Sequence, residues 1–393
     1  MQQILVIGGG VIGAATACFL ARDHGLAPVV IERDPSYQRA SSALSASSIR
    51  QQFSTAINIA LSRASLDFYR RIGDELAVGD ERPDIGLVEP GYLYLASAAG
   101  APALRELHQL QRAHGVDVAL LEPAALNARF PWLAVDDLAL GSLGLSGEGW
   151  FDGWSVLQAF RRKAIACGAR FINADAAALE VQGGRVQAVQ CADGQRLAVD
   201  QLVLAAGAWS AALLAPLGVD LPVRARKRDV FVFDAPVQLP GAPLLIDPGG
   251  MWFRPEGGGR AGSGRYITGA PPRGVDADDA SLDAIDHGLF DEFLWPALAA
   301  RVPAFEALRV VSAWAGYYEM NTFDCNGLVG LLPGWDNLHL ACGFSGHGLQ
   351  QAPAVARGLA QQLASGRWGE TDLAPLSPAR IARGEPILEH CVI

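Results

Sequence analysis

The sequence predicts an α/β fold, with a parallel Rossmann-type sheet and a second domain that contains an antiparallel sheet. The apolar residues 4–7 precede a glycine-rich turn, an alanine-rich helix through about Arg22 and a second apolar strand at 28–32. Strand, turn, helix and strand in this order form a βαβ unit, which places both strands in a parallel sheet. Later apolar strands separated by glycine clusters indicate the second sheet.

Each later element is predicted from its hydrophobic spacing and its flanking turns. Helices are expected over residues 55–78, 101–114, 152–167, 276–300 and 348–363. Strands are expected at 91–96, three times between 169 and 204, and at 230–233, 251–253 and 266–268. Turns are expected at Gly257–Gly259 and Gly262–Gly264. The apolar stretches 202–207 and 338–341 are expected to extend the parallel sheet.

The composition is that of a large folded protein without a nucleic-acid surface. Of 393 residues, 50% are hydrophobic, which is enough for a sizeable core, and the net charge is −10 with scattered basic residues. Six cysteines without a CxxC pair predict reduced thiols in a cytoplasmic protein and no metal site. No secretion signal and no apolar run of about 18 residues is found, so no transmembrane helix is expected.

The glycine-rich turn and a later acidic residue predict a dinucleotide site. Gly8 permits the tight turn, Gly10 lets the backbone approach a pyrophosphate, and Gly13 lets the helix pack close to the sheet. Glu32 ends the second strand, where its carboxylate can accept both ribose hydroxyls of the adenosine and would repel the 2′-phosphate of NADP. The alternative, a glycine-rich turn in an unrelated α/β fold, is disfavoured by this context.

Two further glycine clusters favour FAD over NAD. Residues 204–210 form a second glycine turn after an apolar strand, and residues 343–348 precede the last long helix. The N-terminus of that helix carries a partial positive charge, and a flavin gains negative charge when it is reduced. NAD would not require this third contact, so FAD fits better.

These motifs resemble the D-amino-acid oxidase and sarcosine oxidase family of flavoproteins. The resemblance covers most of the chain and is strongest to a branch of FAD-dependent oxidoreductase domain proteins that includes a complex I assembly factor. The segments that carry it are residues 47–54, 148–152, 226–228, 301–306, 314–324 and 343–353. It implies a Rossmann-type FAD-binding domain made of residues 1–85, 146–216 and 313–393, and a substrate domain of 86–145 and 217–312.

The resemblance also implies which residues contact the cofactor. They are Gly8, Gly10, Val11, Ile12, Gly13, Glu32, Arg33, Ser41, Ser42, Ser48, Ile49, Arg50, Ala206, Gly207, Trp209, Gly346, His347, Gly348, Leu349 and Gln350. Ser41 and Ser42 would lie near the pyrophosphate, and Ser48 to Arg50 beside the isoalloxazine. Sarcosine oxidase-like members carry an FAD-linking cysteine at the position that looks like Gly316, so FAD is expected to be non-covalent here.

The substrate site departs from the family pattern. Gln350 stands where sarcosine oxidases carry a lysine that helps hold the substrate carboxylate, and the arginine that many members carry near Tyr318 is missing. The candidate catalytic residues are Arg50, Lys227, Tyr317, Tyr318 and Gln350, with Arg254 as a further cationic candidate.

Each candidate has a plainer alternative. Arg50 could anchor a carboxylate or pair with a flavin carbonyl or a neighbouring carboxylate. The two tyrosines could bind substrate or simply pack in the core. His347 is expected to contribute backbone rather than chemistry, residues 226–228 could be a solvated charge run, and Asp152 is expected to cap a helix.

The function predicted from these features is FAD-dependent oxidation of a small amine or amino acid, by hydride transfer from Cα to flavin N5. Oxygen, a quinone or an electron-transfer protein could accept the electrons. Two alternatives stay open: a flavin-stabilised assembly or interaction protein with little turnover, and a 2-hydroxy-acid dehydrogenase on the same fold.

Overall fold

A computed structural model describes residues 3–257 and 264–390 of the chain. The strands are β1 Ile4–Ile7, β2 Val29–Glu32, β3 Ser48–Ile49, β4 Tyr92–Ala96, β5 Val118–Leu121, β6 Leu140–Gly144, β7 Gly149–Trp150, β8 Arg170–Asn173, β9 Ala176–Gln182, β10 Arg185–Cys191, β11 Arg196–Ala198, β12 Gln201–Leu204, β13 Val223–Ala235, β14 Leu244–Ile246, β15 Trp252–Glu256, β16 Gly264–Gly269, β17 Arg309–Asn321, β18 Leu328–Leu331 and β19 Leu338–Cys342. The helices are α1 Val11–His24, α2 Ala56–Tyr69, α3 Ile72–Glu75, α4 Ala101–Ala113, α5 Pro123–Arg129, α6 Gly153–Ala166, α7 Ser210–Leu214, α8 His287–Leu289, α9 Trp295–Arg301, α10 Gly348–Ser365 and α11 Ala379–Arg383.

The first layer is a six-stranded sheet in the order β18-β19-β12-β1-β2-β8. Its five strands from β19 to β8 are parallel, and β18 joins the edge antiparallel to β19. Both faces are covered, because α1, α6 and α10 pack on one side and the small sheet β9–β11 packs on the other. A parallel sheet covered on both faces needs uninterrupted apolar strands, which is what the sequence of β1 and β12 provides.

The second layer is an eight-stranded sheet in the order β17-β13-β16-β15-β14-β4-β6-β5. Its longest pairing joins β13 to β17 in antiparallel register, from Val223 opposite Asn321 to Asp234 opposite Arg309. Buried aromatic residues, among them Phe233, Tyr266 and Phe305, form a core under this sheet. The mixed α/β architecture, with a Rossmann-type sheet and a second sheet, is therefore confirmed, while the residue boundaries of the two domains stay a prediction.

Three local predictions were wrong in detail. The helix expected over 276–300 begins only at His287, because Asp276, Asp278 and Asp283 bind basic side chains instead of forming a helical face. The region 169–204 holds five strands instead of three. The helix expected over 55–78 ends at Tyr69, and the short α3 follows. The turns predicted at Gly257–Gly259 and Gly262–Gly264 fall largely on residues 258–263, outside the described residues.

A buried ion pair fastens the last helix to the rest of the chain. The Arg380 guanidinium on α11 binds Asp324 through Nε at 2.7 Å and Nη2 at 2.9 Å, and it also donates to the carbonyls of Leu376, Asn326 and Gly327. Both charged side chains are almost completely buried. Because water does not reach either side chain, the stability of this ion pair depends on the hydrogen bonds that its two members make within the protein.

We expect Arg380→Met to lower the free energy of unfolding by about 3–5 kcal/mol, because it leaves the buried Asp324 carboxylate without its cation. Urea denaturation of the variant measures the change. The matched control is Arg383→Met, three residues further along, where an exposed pair with Glu385 is lost and a change within about 0.5 kcal/mol is expected. Equal effects of the two substitutions would contradict the assignment.

Candidate functional site

The turn between β1 and α1 requires glycines, because it leaves no room for side chains. Gly8 has a φ of +97°, and a Cβ there would overlap the carbonyl oxygen of Ala205 at the end of β12. A Cβ on Gly13 would overlap the carbonyl oxygen of Gly8. Glycine is therefore needed at both positions, because a Cβ at either would collide with a backbone carbonyl. Gly8 is also needed for its positive φ. The result is that the N-terminus of α1 points its free N–H groups into the space beside β12.

Glu32 is held in place by backbone donors at the end of β2. Its Oε2 accepts a hydrogen bond from Gly9 N and its Oε1 accepts one from Asp34 N, each at 2.8 Å. Burial and the Glu32 carboxylate raise the pKa of the neighbouring Tyr37 phenol to about 12. Glu32 is therefore fixed at the carboxyl end of β2, where the sequence predicts the adenosine ribose.

A cleft that holds about 1680 Å³ of space, part of it open to solvent, runs from Glu32 past the glycine turn to the N-terminus of α10. Gly8, Gly10, Val11, Ile12, Glu32, Arg33, Ser41, Ser42, Ala206, Gly207, Trp209, Gly346, Gly348 and Leu349 are the predicted cofactor residues that line it. The predicted residues Gly13, Ser48, Ile49, Arg50, His347 and Gln350 do not line it.

Two observations at the cleft fit a dinucleotide. The hydroxyl of Ser42 is buried and has no hydrogen-bond partner among the described residues, although it lies near Gly10, where a pyrophosphate would approach. The Arg33 guanidinium stacks on the Trp209 ring at 4.2 Å, so a planar cation and an indole wall the cleft near Glu32 and Gly207. The residues present therefore suit FAD, with the adenosine near Glu32 and the redox-active ring near α10.

Arg50, His347 and Gln350 form a buried cluster that does not line the cleft. The Arg50 guanidinium donates to Gln52 O at 3.0 Å, lies 3.1 Å from His347 Nε2 and stacks on the Phe53 ring at 4.2 Å. The side-chain oxygen of Gln350 accepts from the backbone N–H of Arg50 at 2.9 Å. These contacts fix the segment that follows β3, whose two residues pair with β7.

The two tyrosines lie on β17 and line the cleft. Tyr317 donates its phenol hydrogen to Ala280 O at 2.8 Å and meets the Trp209 ring edge-on. The Tyr318 ring packs against Gly346, where a Cβ would overlap it. Burial raises the pKa of both phenols, so both stay neutral near neutral pH.

The other two cationic candidates are engaged elsewhere and do not line the cleft. Lys227 Nζ binds Asp229 at 3.1 Å and also donates to the carbonyl oxygen of Ala284. The Arg254 guanidinium donates to Ala46 O, pairs with Glu256 and stacks on Trp150. Burial lowers the pKa of Arg254.

A cation that the sequence analysis passed over does line the cleft. Arg228 on β13 lies opposite Gly316, and its guanidinium sits 5.2 Å from the centre of the Tyr318 ring. Nη1 and Nη2 bind both carboxylate oxygens of Asp276 at 2.9 and 3.0 Å. Its Nε is buried and has no partner among the described residues. In the sequence, Arg228 is one of three consecutive basic residues, and only the register of β13 with β17 shows which of the three lines the cleft.

A second missed residue is Glu319, which lines the cleft beside Gly207 and Gly348. Its Oε2 accepts a hydrogen bond from Gly343 N at 3.0 Å. Burial raises the pKa of this carboxyl to about 7. An acidic residue inside an otherwise aromatic and apolar stretch was the one signal that the sequence offered.

Metal and membrane features can be stated for the described ranges. Residues 3–257 and 264–390 contain no group of three or more histidine, cysteine and acidic side chains arranged to hold a metal ion. No helix in these ranges is long and apolar enough to cross a membrane. Asp152 caps α6, as expected, by accepting from Trp154 N and Ser155 N. The five described cysteines are free thiols, and Cys391 lies outside the described residues.

Comparisons with known proteins agree with this geometry. A family model described as FAD dependent oxidoreductase matches residues 3–362. The chain is 41% identical to FAD-dependent oxidoreductase domain-containing protein 1 of Xenopus laevis, over all of this chain and 85% of that protein. It is 29% identical to the glycine oxidase of Pseudomonas putida, over 96% of this chain and 98% of the oxidase.

Solved structures show the same fold. The L-proline dehydrogenase of P. horikoshii superposes with a TM-score of 0.85 at 23% identity, covering 98% of this chain and 99% of the dehydrogenase. The glycine oxidase of Geobacillus kaustophilus gives a TM-score of 0.79 at 26% identity, covering 96% and 98%.

The glycine turn allows a test that separates folding from cofactor binding. A Cβ on Gly10 meets only the Ser42 hydroxyl, at 3.7 Å, which is an ordinary contact. We expect Gly10→Ala to fold with an unchanged melting temperature but to bind FAD at least tenfold more weakly, because the methyl group occupies the space where the pyrophosphate approaches. Titration of the apoprotein with FAD, followed by flavin fluorescence, measures the affinity.

The matched control is Gly274→Ala, since a Cβ at Gly274 meets no atom within 4 Å. This control should bind FAD as the unaltered protein does. Full FAD affinity in Gly10→Ala would refute the assignment of the pyrophosphate position.

Proposed function

Because the chain belongs to the family of FAD-dependent oxidoreductases, we propose that it oxidises a small amine that carries a carboxylate, such as an amino acid. Relatives named glycine oxidase, sarcosine oxidase subunit beta and L-proline dehydrogenase support an amine with a carboxylate as the substrate class. The observation that carries the proposal is Arg228, which lines the cleft and whose buried Nε has no partner among the described residues, since the family resemblance alone leaves the substrate open.

Arg228 can receive a carboxylate without losing its present partner. Asp276 takes the outer edge of the guanidinium, formed by Nη1 and Nη2. The second edge, formed by Nε–H and the remaining Nη2–H, has the two parallel donors that a carboxylate binds bidentately. The ion pair with Asp276 also restricts the rotation of the side chain, so less entropy is lost on binding.

The other residues of this end of the cleft position the substrate and exclude water. Tyr318 lies beneath the guanidinium, while Trp209, Trp252 and Tyr317 supply apolar walls. The described residues that line the cleft include no histidine or lysine, so the amine is expected to arrive in its neutral form. Bound FAD supplies the acceptor for a hydride from the substrate Cα.

Anaerobic mixing of the holoprotein with a panel of substrates tests the reaction class. We expect loss of flavin absorption with at least one small D- or L-amino acid or N-methylated amino acid. Loss with 2-hydroxy acids alone would favour the dehydrogenase alternative. No bleaching with any member of the panel would favour an assembly or interaction role. Rapid mixing of the reduced protein with oxygen, a soluble quinone or an electron-transfer flavoprotein then identifies the acceptor.

Substitution of Arg228 tests the carboxylate site. We expect Arg228→Met to weaken the binding of a carboxylate substrate by at least tenfold, because two charge-assisted hydrogen bonds contribute about 1.5–3 kcal/mol or more. FAD content should stay unchanged. Titration of the holoprotein, followed by the shift of the flavin spectrum, gives the dissociation constant.

The matched control is Arg226→Met on the same strand, because Arg226 pairs with Asp278 and does not line the cleft. Its affinity for the same ligand should match that of the unaltered protein. If both variants bind the ligand as tightly as the unaltered protein, the carboxylate is held elsewhere.

A further inference from the structure

A carboxyl group lies where the Gly207 turn and the N-terminus of α10 meet the cleft. Glu319 on β17 accepts a hydrogen bond from Gly343 N at 3.0 Å, which ties it to the loop before α10. A Cβ on Gly207 would lie 3.6 Å from one of its oxygens, and a Cβ on Gly348 would lie 3.4 Å from the other. The carboxyl therefore faces two glycines that line the cleft.

No charged side chain among the described residues compensates this carboxyl. Among the described residues, Glu319 has no ion-pair partner, and burial raises its pKa to about 7 against two backbone hydrogen bonds that lower it. The titratable group that faces it is the Cys342 thiol on β19, whose pKa burial and the Glu319 carboxylate both raise. On β13 its register neighbour is Ala225, and the arginines on either side of Ala225 are held by acidic loop residues.

We propose that Glu319 is the proton site that balances charge at the cofactor: it is ionised beside oxidised FAD and binds a proton from solvent when FAD is reduced. Reduction adds negative charge to the cleft, and a like charge nearby disfavours the ionised carboxylate. Two electrons and one proton leave the substrate together as a hydride and go to the cofactor. The separate proton on Glu319 comes from solvent, so atoms and charges balance.

This inference rests on FAD binding and does not depend on which substrate is oxidised. A chemical or photochemical reductant can therefore replace the substrate in every test. Failure of amine oxidation and failure of proton uptake are then separate results.

The midpoint potential of the holoprotein as a function of pH tests the proposal. Each proton bound on reduction lowers a two-electron potential by about 30 mV per pH unit. Below the pKa of Glu319 the carboxyl is protonated in both redox states and contributes nothing. Between about pH 7 and the higher pKa that Glu319 has beside reduced FAD it adds one proton, so in this range the potential of the unaltered protein should fall about 30 mV per pH unit more steeply than that of Glu319→Gln.

Dye-equilibration titrations of the two holoproteins measure this difference. The difference should be constant below about pH 7 and should grow above it. Cys342→Ser, which changes the other titratable group at the site, should follow the unaltered protein. Potentials of Glu319→Gln that run parallel to those of the unaltered protein across the whole range would overturn the proposal.

Infrared difference spectroscopy on the unaltered holoprotein keeps the proposal testable if Glu319→Gln does not fold. Reduction at about pH 8 should produce the carbonyl band of a newly protonated carboxylic acid. The control is Glu148→Gln, since burial also raises the pKa of Glu148 to about 7 but this carboxyl does not line the cleft. The band should persist in that control and vanish in Glu319→Gln. Absence of the band in the unaltered protein, or its persistence in Glu319→Gln, would refute the assignment.

Discussion

The architecture depends on one close approach, that of the first turn of α1 to the ends of β1 and β12. Only glycine at positions 8 and 13 allows it, because a Cβ at either would overlap a backbone carbonyl. This packing buries α1 continuously from Val11 to Ala21 and points its partial positive charge of about +0.5 into the cleft. The backbone N–H groups of Gly9 and Asp34 then hold Glu32, so the same turn also fixes the residue at which we expect the adenosine ribose.

The far end of the cleft depends on a different constraint, the long antiparallel pairing of β13 with β17. Its register places Arg228 opposite Gly316, and the Arg228 guanidinium lies 5.2 Å from the centre of the Tyr318 ring. The indole of Trp314 on β17 donates to Leu44 O, which joins the second sheet to the segment before β3. The single strand β17 therefore brings two tyrosines and a carboxyl group to the wall of the cleft.

The sequence predicted the fold of the first βαβ unit, because its determinants are local. A strand, a glycine turn, a helix and an acidic residue lie within one βαβ unit, so their spacing implies their geometry. The residues of the proposed substrate site were harder to predict. Lys227 and Arg228 are adjacent in sequence but have different surroundings, and only the pairing with β17 shows which of them lies against Tyr318. Residues 276–283 were predicted as part of a helix, because the basic residues that bind their aspartates lie far away in sequence and could not be recognised as partners.

The charges at this end of the cleft bear on substrate choice. Asp276 neutralises most of the Arg228 charge, so attraction between net charges contributes little to the binding of an anion. A ligand must instead match two fixed donors at close range, which favours a planar carboxylate over a rounder anion. No cation among the described residues pairs with Glu319, which therefore disfavours a second negative charge near α10. These charges fit the function we propose, because they favour a small ligand with one carboxylate and a neutral reacting group, as in an amino acid whose amine is unprotonated.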